Sequence, residues 1–213
     1  MKFNWDNVVF QMLGKLVDCV WVSILWVICC IPVFTIGAST TALYYTTHKV
    51  IRGNRGYTTR TFFGAFKDNF KAATLPYLVW LVVMVVLGCD AYVTYQVLQT
   101  GSTAGAFFYF FLIMIAVAVM WGIFLFAYIA RFENTIKQTL KNAFLLTIRH
   151  LPWALLVLLI LLLSVLAIYL IPVLLAVIPA VSTLVFDFIL ERLFRRYMRA
   201  EDLEREKEND RYE

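Results

Sequence analysis

Five long apolar stretches run through this chain, and almost every basic residue lies outside them. They cover residues 16–36, 75–97, 106–130, 151–170 and 171–190. A bilayer core of ~30 Å is crossed by ~20 apolar residues of helix rising 1.5 Å each. Unpaired backbone amides are not tolerated in hydrocarbon, so stretches of this kind are expected to be helices. The expected class is therefore all-α, a polytopic helical membrane protein with about five transmembrane helices. Of the 213 residues, 62% are hydrophobic and 15% charged, well below the quarter charged of a soluble domain. The length suits one integral membrane domain, residues 1–200, with a charged tail at 201–213.

The formal charge of +5 hides two regions. Residues 201–213 hold seven acids and three bases, leaving 16 bases and seven acids in the remainder. Bases at the ends of apolar helices reflect the positive-inside bias and contact with anionic lipid headgroups. A nucleic-acid partner is not expected; membrane lipid is. Cys19, Cys29, Cys30 and Cys89 lie in or beside apolar stretches, where thiols behave as small hydrophobes. They have no metal-ligand spacing with His48 or His150, so neither a disulfide framework nor a metal site is expected. Residues 16–36 exceed a usual signal-peptide core and no small-x-small site follows, so the first span is expected to be retained.

Charge also gives an expected orientation. Residues 37–74 carry Lys49, Arg52, Arg55, Arg60, Lys67 and Lys71 against Asp68. Residues 131–150 carry Arg131, Lys137, Lys141 and Arg149 against Glu133, and Arg192, Arg195, Arg196 and Arg199 follow the last stretch. These three regions are expected on the cytoplasmic side. The 40-residue run 151–190 has basic regions at both ends, so it must form a hairpin, broken at Pro172 and kinked at Pro179. The expected arrangement is five crossings, N-terminus outside and C-terminus in the cytoplasm, with Asp18 near the outer start of the first span.

Two segments between the spans are amphipathic. In residues 58–73, Phe62, Phe66 and Phe70 share one face, with Arg60, Lys67, Asp68 and Lys71 opposite. In residues 135–150, Ile136, Leu140, Phe144 and Ile148 form a stripe, and Lys137 and Lys141 face away. Helices of this kind lie in the membrane interface. Each is either a connector packed under the bundle or a docking helix for a cytoplasmic partner, which makes Arg60, Lys67, Lys71, Lys137 and Lys141 candidate partner or lipid contacts. Each segment leads into a span through Leu-Pro-aromatic, Leu75-Pro76-Tyr77 and Leu151-Pro152-Trp153. Two related units, or convergent helix-start chemistry, account for the match equally well.

Acids inside apolar spans are costly and mark candidate functional positions. Asp90 is the most interior, and Asp187 is expected to pair locally or reach water near Glu191 and Arg192. Residues 31–45, Ile-Pro-Val-Phe-Thr-Ile-Gly-Ala-Ser-Thr-Thr-Ala-Leu-Tyr-Tyr, form the most distinctive local stretch. Ser39 or Thr40 can cap a new helix there, whose free amides offer an anion site; turning the chain into the interface is the plainer reading. No catalytic triad, HExxH motif, phosphate loop or paired-carboxylate motif is present, so no enzyme activity and no cofactor are expected.

The first apolar stretch ending in IPVFTIGASTTALYY, the block TFFGAFKDNFKAA before an aromatic-rich span, and the later block KNAFLLTIRHLPW together resemble the YesL family of bacterial membrane proteins. The resemblance covers roughly residues 3–200. It implies a small polytopic protein of the cytoplasmic membrane of Gram-positive bacteria, associated with carbohydrate use. It supplies no catalytic residues. The leading functional expectation is a non-enzymatic accessory protein of a carbohydrate uptake system, with importer subunits as partners. An independent small-solute or ion transporter or channel, drawing on Asp90 and the two-unit pattern, is the alternative. The oligomeric state is left open.

Overall fold

The computed structural model describes residues 8–198, with side chains from Met12 onward, and the regular elements among them are all helices, without strands. Helix α1 is Val8–Cys29, followed by a 3-10 turn at Val33–Thr35. Helix α2, Ile36–Thr46, runs directly into a π-helical turn, Thr47–Arg52. Then come α3 (Thr58–Asp68), α4 (Phe70–Gln99), α5 (Phe107–Arg131), α6 (Ile136–Arg149), α7 (Leu151–Leu170) and α8 (Ile178–Phe194). Residues 201–213, read as a charged tail, lie outside the described residues.

Four segments are long and apolar enough to cross a membrane: Met12–Cys29, Phe70–Gln99, Thr103–Arg131 and Leu151–Leu170. The chain is a multi-pass helical membrane protein. The fifth expected stretch, 171–190, is divided differently. Pro172 opens a 3-10 turn that runs to Ala176, and Pro179 sits in the first turn of α8. A proline lacks the N–H that would continue an incoming helix, yet its fixed φ suits a helix start. The break therefore occupies several residues rather than Pro172 alone. Helix α8 has 17 residues, ~25 Å at 1.5 Å each, and is shorter than the four. The first span likewise ends at Cys29 rather than Ile36, because Pro32 interrupts it. The second begins at Phe70, so Pro76 lies inside α4, whereas Pro152 takes the expected first-turn place in α7.

Helix α2 is the centre of the packing and touches α1, α3, α4, α5 and α8. Its small residues permit this. Gly37, Ala38, Ser39, Thr41 and Ala42 are all buried, and small side chains let helix backbones approach closely in a membrane. At Gly37 a Cβ would stand 2.5 Å from Tyr77 Cβ and 2.9 Å from the Ala73 carbonyl oxygen. Helices α4 and α5 are joined by a short connection and clamped by Tyr77, Trp80 and Phe126, with ring centroids 6.2 Å apart. Trp80 Nε1 donates to the Ala118 carbonyl at 2.7 Å. Most apolar side chains of α7 are exposed on the protein surface, as suits a helix facing lipid.

Asp18, expected near the outer start of the first span, lies against the start of α3. Asp18 Oδ1 accepts from the Thr58 hydroxyl at 2.5 Å, and Trp21 Nε1 donates to Thr59 Oγ1 at 2.8 Å. The first half of α1 therefore lies beside the start of α3, in the basic segment 37–74. The physical reason is α2: after Cys29 the chain turns at Pro32 and runs back along α1, so it returns to the end from which α1 set out.

On α3, Phe62 is fully buried and its ring stacks on Phe66, which meets Phe70 edge-on. Arg60, Lys67 and Lys71 are exposed. On α6 the packed face is Thr139, Ala143, Leu146 and Thr147. The stripe residues Ile136, Phe144 and Ile148 are exposed. Small side chains bring α6 close to its neighbours, and the larger apolar ones are left for hydrocarbon. Each amphipathic helix breaks just before the next span. Asn69 Nδ2 bonds the Ala65 carbonyl at 3.0 Å at one junction, and His150 leaves the helical region (φ −115°, ψ 42°) at the other.

Candidate functional site

The π-helical turn at the end of α2 brings His48 and Arg52 to α8. His48 Nδ1 lies 2.8 Å from Asp187 Oδ1, and Arg52 donates to Asp187 Oδ2 at 2.7 Å. The guanidinium of Arg52 also sits 4.6 Å over the Phe188 ring. One turn along α8, Glu191 Oε1 accepts from Arg131 at 2.8 Å and from Arg195 Nε at 3.2 Å. Both carboxylates are buried, at 0% and 1% exposure. The Tyr44 hydroxyl is buried beside them. This network ties α2, α5 and the end of α8 together. Removing one partner of such a pair typically costs ~3–5 kcal/mol, because a buried charge is left behind.

His48, Asp187 and Glu191 also offer ligand atoms within 4.8 Å of one another. Charge decides against reading them as a metal centre. Two carboxylates are already outweighed by Arg52, Arg131 and Arg195, and a divalent cation would add to that excess. The cluster is a staple between helices.

The second feature is an open cleft of about 1410 Å³ between the α2–α3 loop on one side and the α5–α6 connection on the other. Lys49, Arg55, Arg60 and Arg131 line it against Asp68 and Glu133, with Asn54, Asn69, Asn134 and Gln138 among them. Its walls are built locally. Asn54 (φ 55°) and Gly56 (φ 79°) take left-handed conformations that fold the α2–α3 loop, which Asn and Gly tolerate best. Across the cleft, the Tyr128 hydroxyl accepts from the side-chain amides of Asn134 and Asn142 at 2.9 and 3.0 Å. That fixes the α5–α6 connection. Residues 37–74 and 131–150, expected on one side of the membrane, share this cleft.

Of the residues singled out from the sequence, Arg60 lines the cleft. Lys67, Lys71, Lys137 and Lys141 are exposed but do not line it. Asp90 lies far along α4, half-buried and without an ion pair among the described residues; Thr94 bonds its carbonyl oxygen at 2.7 Å. Ser39 is buried within α2, and Thr40 Oγ1 accepts from Trp26 Nε1 at 3.3 Å. The start of α2 packs on Ala73 and Tyr77, so it is not an open helix end. The cysteines are free thiols.

The partnership of His48 and Arg52 with Asp187, and of Arg131 with Glu191, was not read from the sequence. The available signal was the i, i+4 pair of acids on an otherwise apolar helix, which obliges bases to come from elsewhere. No curated protein and no solved structure matches this chain. Residues 19–91, from the middle of α1 to well along α4, match the family model described as "Protein of unknown function, DUF624".

Proposed function

We propose that this chain is a non-enzymatic accessory protein of a bacterial carbohydrate uptake system, working from the cytoplasmic membrane through its basic face. The cleft carries this reading. It is wide, open and lined by polar groups, with Lys49, Arg55, Arg60 and Arg131 against Asp68 and Glu133, and α3, α4 and α6 carry further exposed lysines. The buried acids are committed to arginines and serve the bundle. The association with carbohydrate use comes from the YesL-like blocks, and the cytoplasmic placement of cleft and C-terminus from the charge bias.

The test is purification from native membranes followed by mass spectrometry. Co-purification of sugar-importer subunits, lost on changing Arg60 to Glu, is the expected result. Solute or ion flux through proteoliposomes of the pure protein would instead establish a transporter and overturn the accessory reading. Cysteine labelling at Asn54 and Asn134 in intact cells should find both shielded from the outside.

A further inference from the structure

We propose that two copies of this chain pair in the membrane along the outward face of α4, with Asp90 against Asp90. The proposal goes beyond the accessory reading and does not depend on it.

The first observation is a pattern. Val79, Val83, Val86, Asp90, Val93 and Val97 follow one another at spacings of four, three, four, three and four residues. That is the heptad seam of helices wound about each other, in which a single polar residue specifies register and the number of strands. From Val79 to Val97 is ~27 Å of helix, close to the ~30 Å of a bilayer core. Membrane helices mostly cross at the same shallow angle as coiled coils.

The second observation is where the seam faces. Helix α4 packs on its neighbours through Ala73, Tyr77, Trp80 and Ala91, which at 3.6 residues per turn lie on another side of the helix. Val79, Val86 and Val93 are exposed, and Val83, Asp90 and Val97 are half-buried.

The third is Asp90 itself. Asp18, Asp187 and Glu191 each have a side-chain partner. The Asp90 carboxyl has none among the described residues. From Asp90 to the end of α4 at Gln99 is ~13 Å of helix, too far for so short a side chain to reach the headgroups. A carboxyl left in hydrocarbon is costly. On α7, by contrast, the Ser164 hydroxyl is turned inward and meets Ser182 at 2.8 Å.

Copies inserted with one topology pair in parallel about a two-fold axis along the membrane normal. Each seam position then meets its own counterpart. Two Asp90 carboxyls sharing a proton supply both a donor and an acceptor, a hydrogen bond that neither copy makes by itself. A different partner would have to bring its own polar group to that depth; self-pairing needs only this chain.

The experiment uses the full chain, purified and reconstituted in liposomes, in a background without Cys19, Cys29, Cys30 and Cys89. Single cysteines replace Val79, Val86 or Val93 on the seam. Controls replace Val85 or Tyr92, which are exposed but turned away from it. Mild oxidation should give disulfide-linked dimers at the three seam positions and not at the two controls. Energy transfer between labelled copies, followed as the protein is diluted in lipid, reads the dissociation constant. Asp90→Leu should raise it ~5–10-fold, and Asp90→Asn, whose amide also donates and accepts, should keep it within ~2-fold. The cross-linking pattern decides the matter even where an Asp90 variant fails to fold. Equal cross-linking on and off the seam overturns the proposal. So does a chain that stays monomeric in liposomes at every density, which would leave the seam to lipid or to a helix of another protein.

Discussion

The Arg52–Asp187 pair offers a sharp test of the reasoning about buried charge. Asp187 is fully buried and Arg52 is 26% exposed, so the two single truncations should not cost the same. Asp187→Ala leaves a guanidinium that can swing to water, and the expected loss is ~2–3 kcal/mol. Arg52→Ala leaves a buried carboxylate with His48 alone, and the expected loss is ~3–5 kcal/mol. The double variant removes both charges and leaves a small polar-lined gap. It should cost less than the sum by ~1.5–3 kcal/mol, the range of coupling seen for contacting groups. The assay is equilibrium unfolding in mixed micelles, run on all four members of the cycle. Strict additivity, or single losses below ~1 kcal/mol, would refute this pair's part in the staple and leave α8 to the Glu191–Arg131 pair and apolar packing.

Phe66→Asp should lower stability by ~2–4 kcal/mol, since a half-buried ring in the Phe62–Phe66–Phe70 stack is replaced by a group that must be desolvated. Lys67→Ala, on the exposed side of the same helix, should stay within ~0.5 kcal/mol; both are read from unfolding midpoints. Asp90→Asn should leave folding and any uptake phenotype intact, because Asp90 has no ion-pair partner among the described residues; complete loss of function in a well-folded variant would point to transport. At the α6–α7 junction, burial and then the charges of Arg149 and Arg196 hold the His150 imidazole below its ordinary value of 6.5. The unfolded chain then takes up the proton more readily, so stability should fall as pH drops through that value. His150→Gln should flatten this slope in a pH series of unfolding midpoints.

Apolar length was enough to find the long helices, because a bilayer imposes one dimension on every span. The same signal overran at Ile36 and Ile171, where proline ends or delays a helix that composition alone would continue. The face of α3 was legible from its aromatic spacing. The face of α6 was harder, since a stripe of large apolar residues in a membrane protein is as well placed against lipid as against protein. The helix after Pro32 was legible, with its start a few residues late, but its central place was not. Only the approach of Tyr77 and Ala73 to Gly37 makes those small residues the requirement of a central helix. The cleft was half visible: its bases were counted correctly for topology, but Lys49, Arg55 and Arg131 belong to distant segments that only folding brings together.

The staple between α2 and α8 also sets an order of assembly. His48 meets Asp187 across 139 positions of sequence. When α2 leaves the ribosome, His48 and Arg52 at its end have no Asp187 to close on. Until the last helix is made, this segment is a polar element in an apolar setting, the kind of surface on which insertion and surveillance machineries act. Biogenesis is thus retrospective: the first hairpin to be synthesised is completed by the last helix, and a chain interrupted before residue 187 is one that the membrane can hold but not finish.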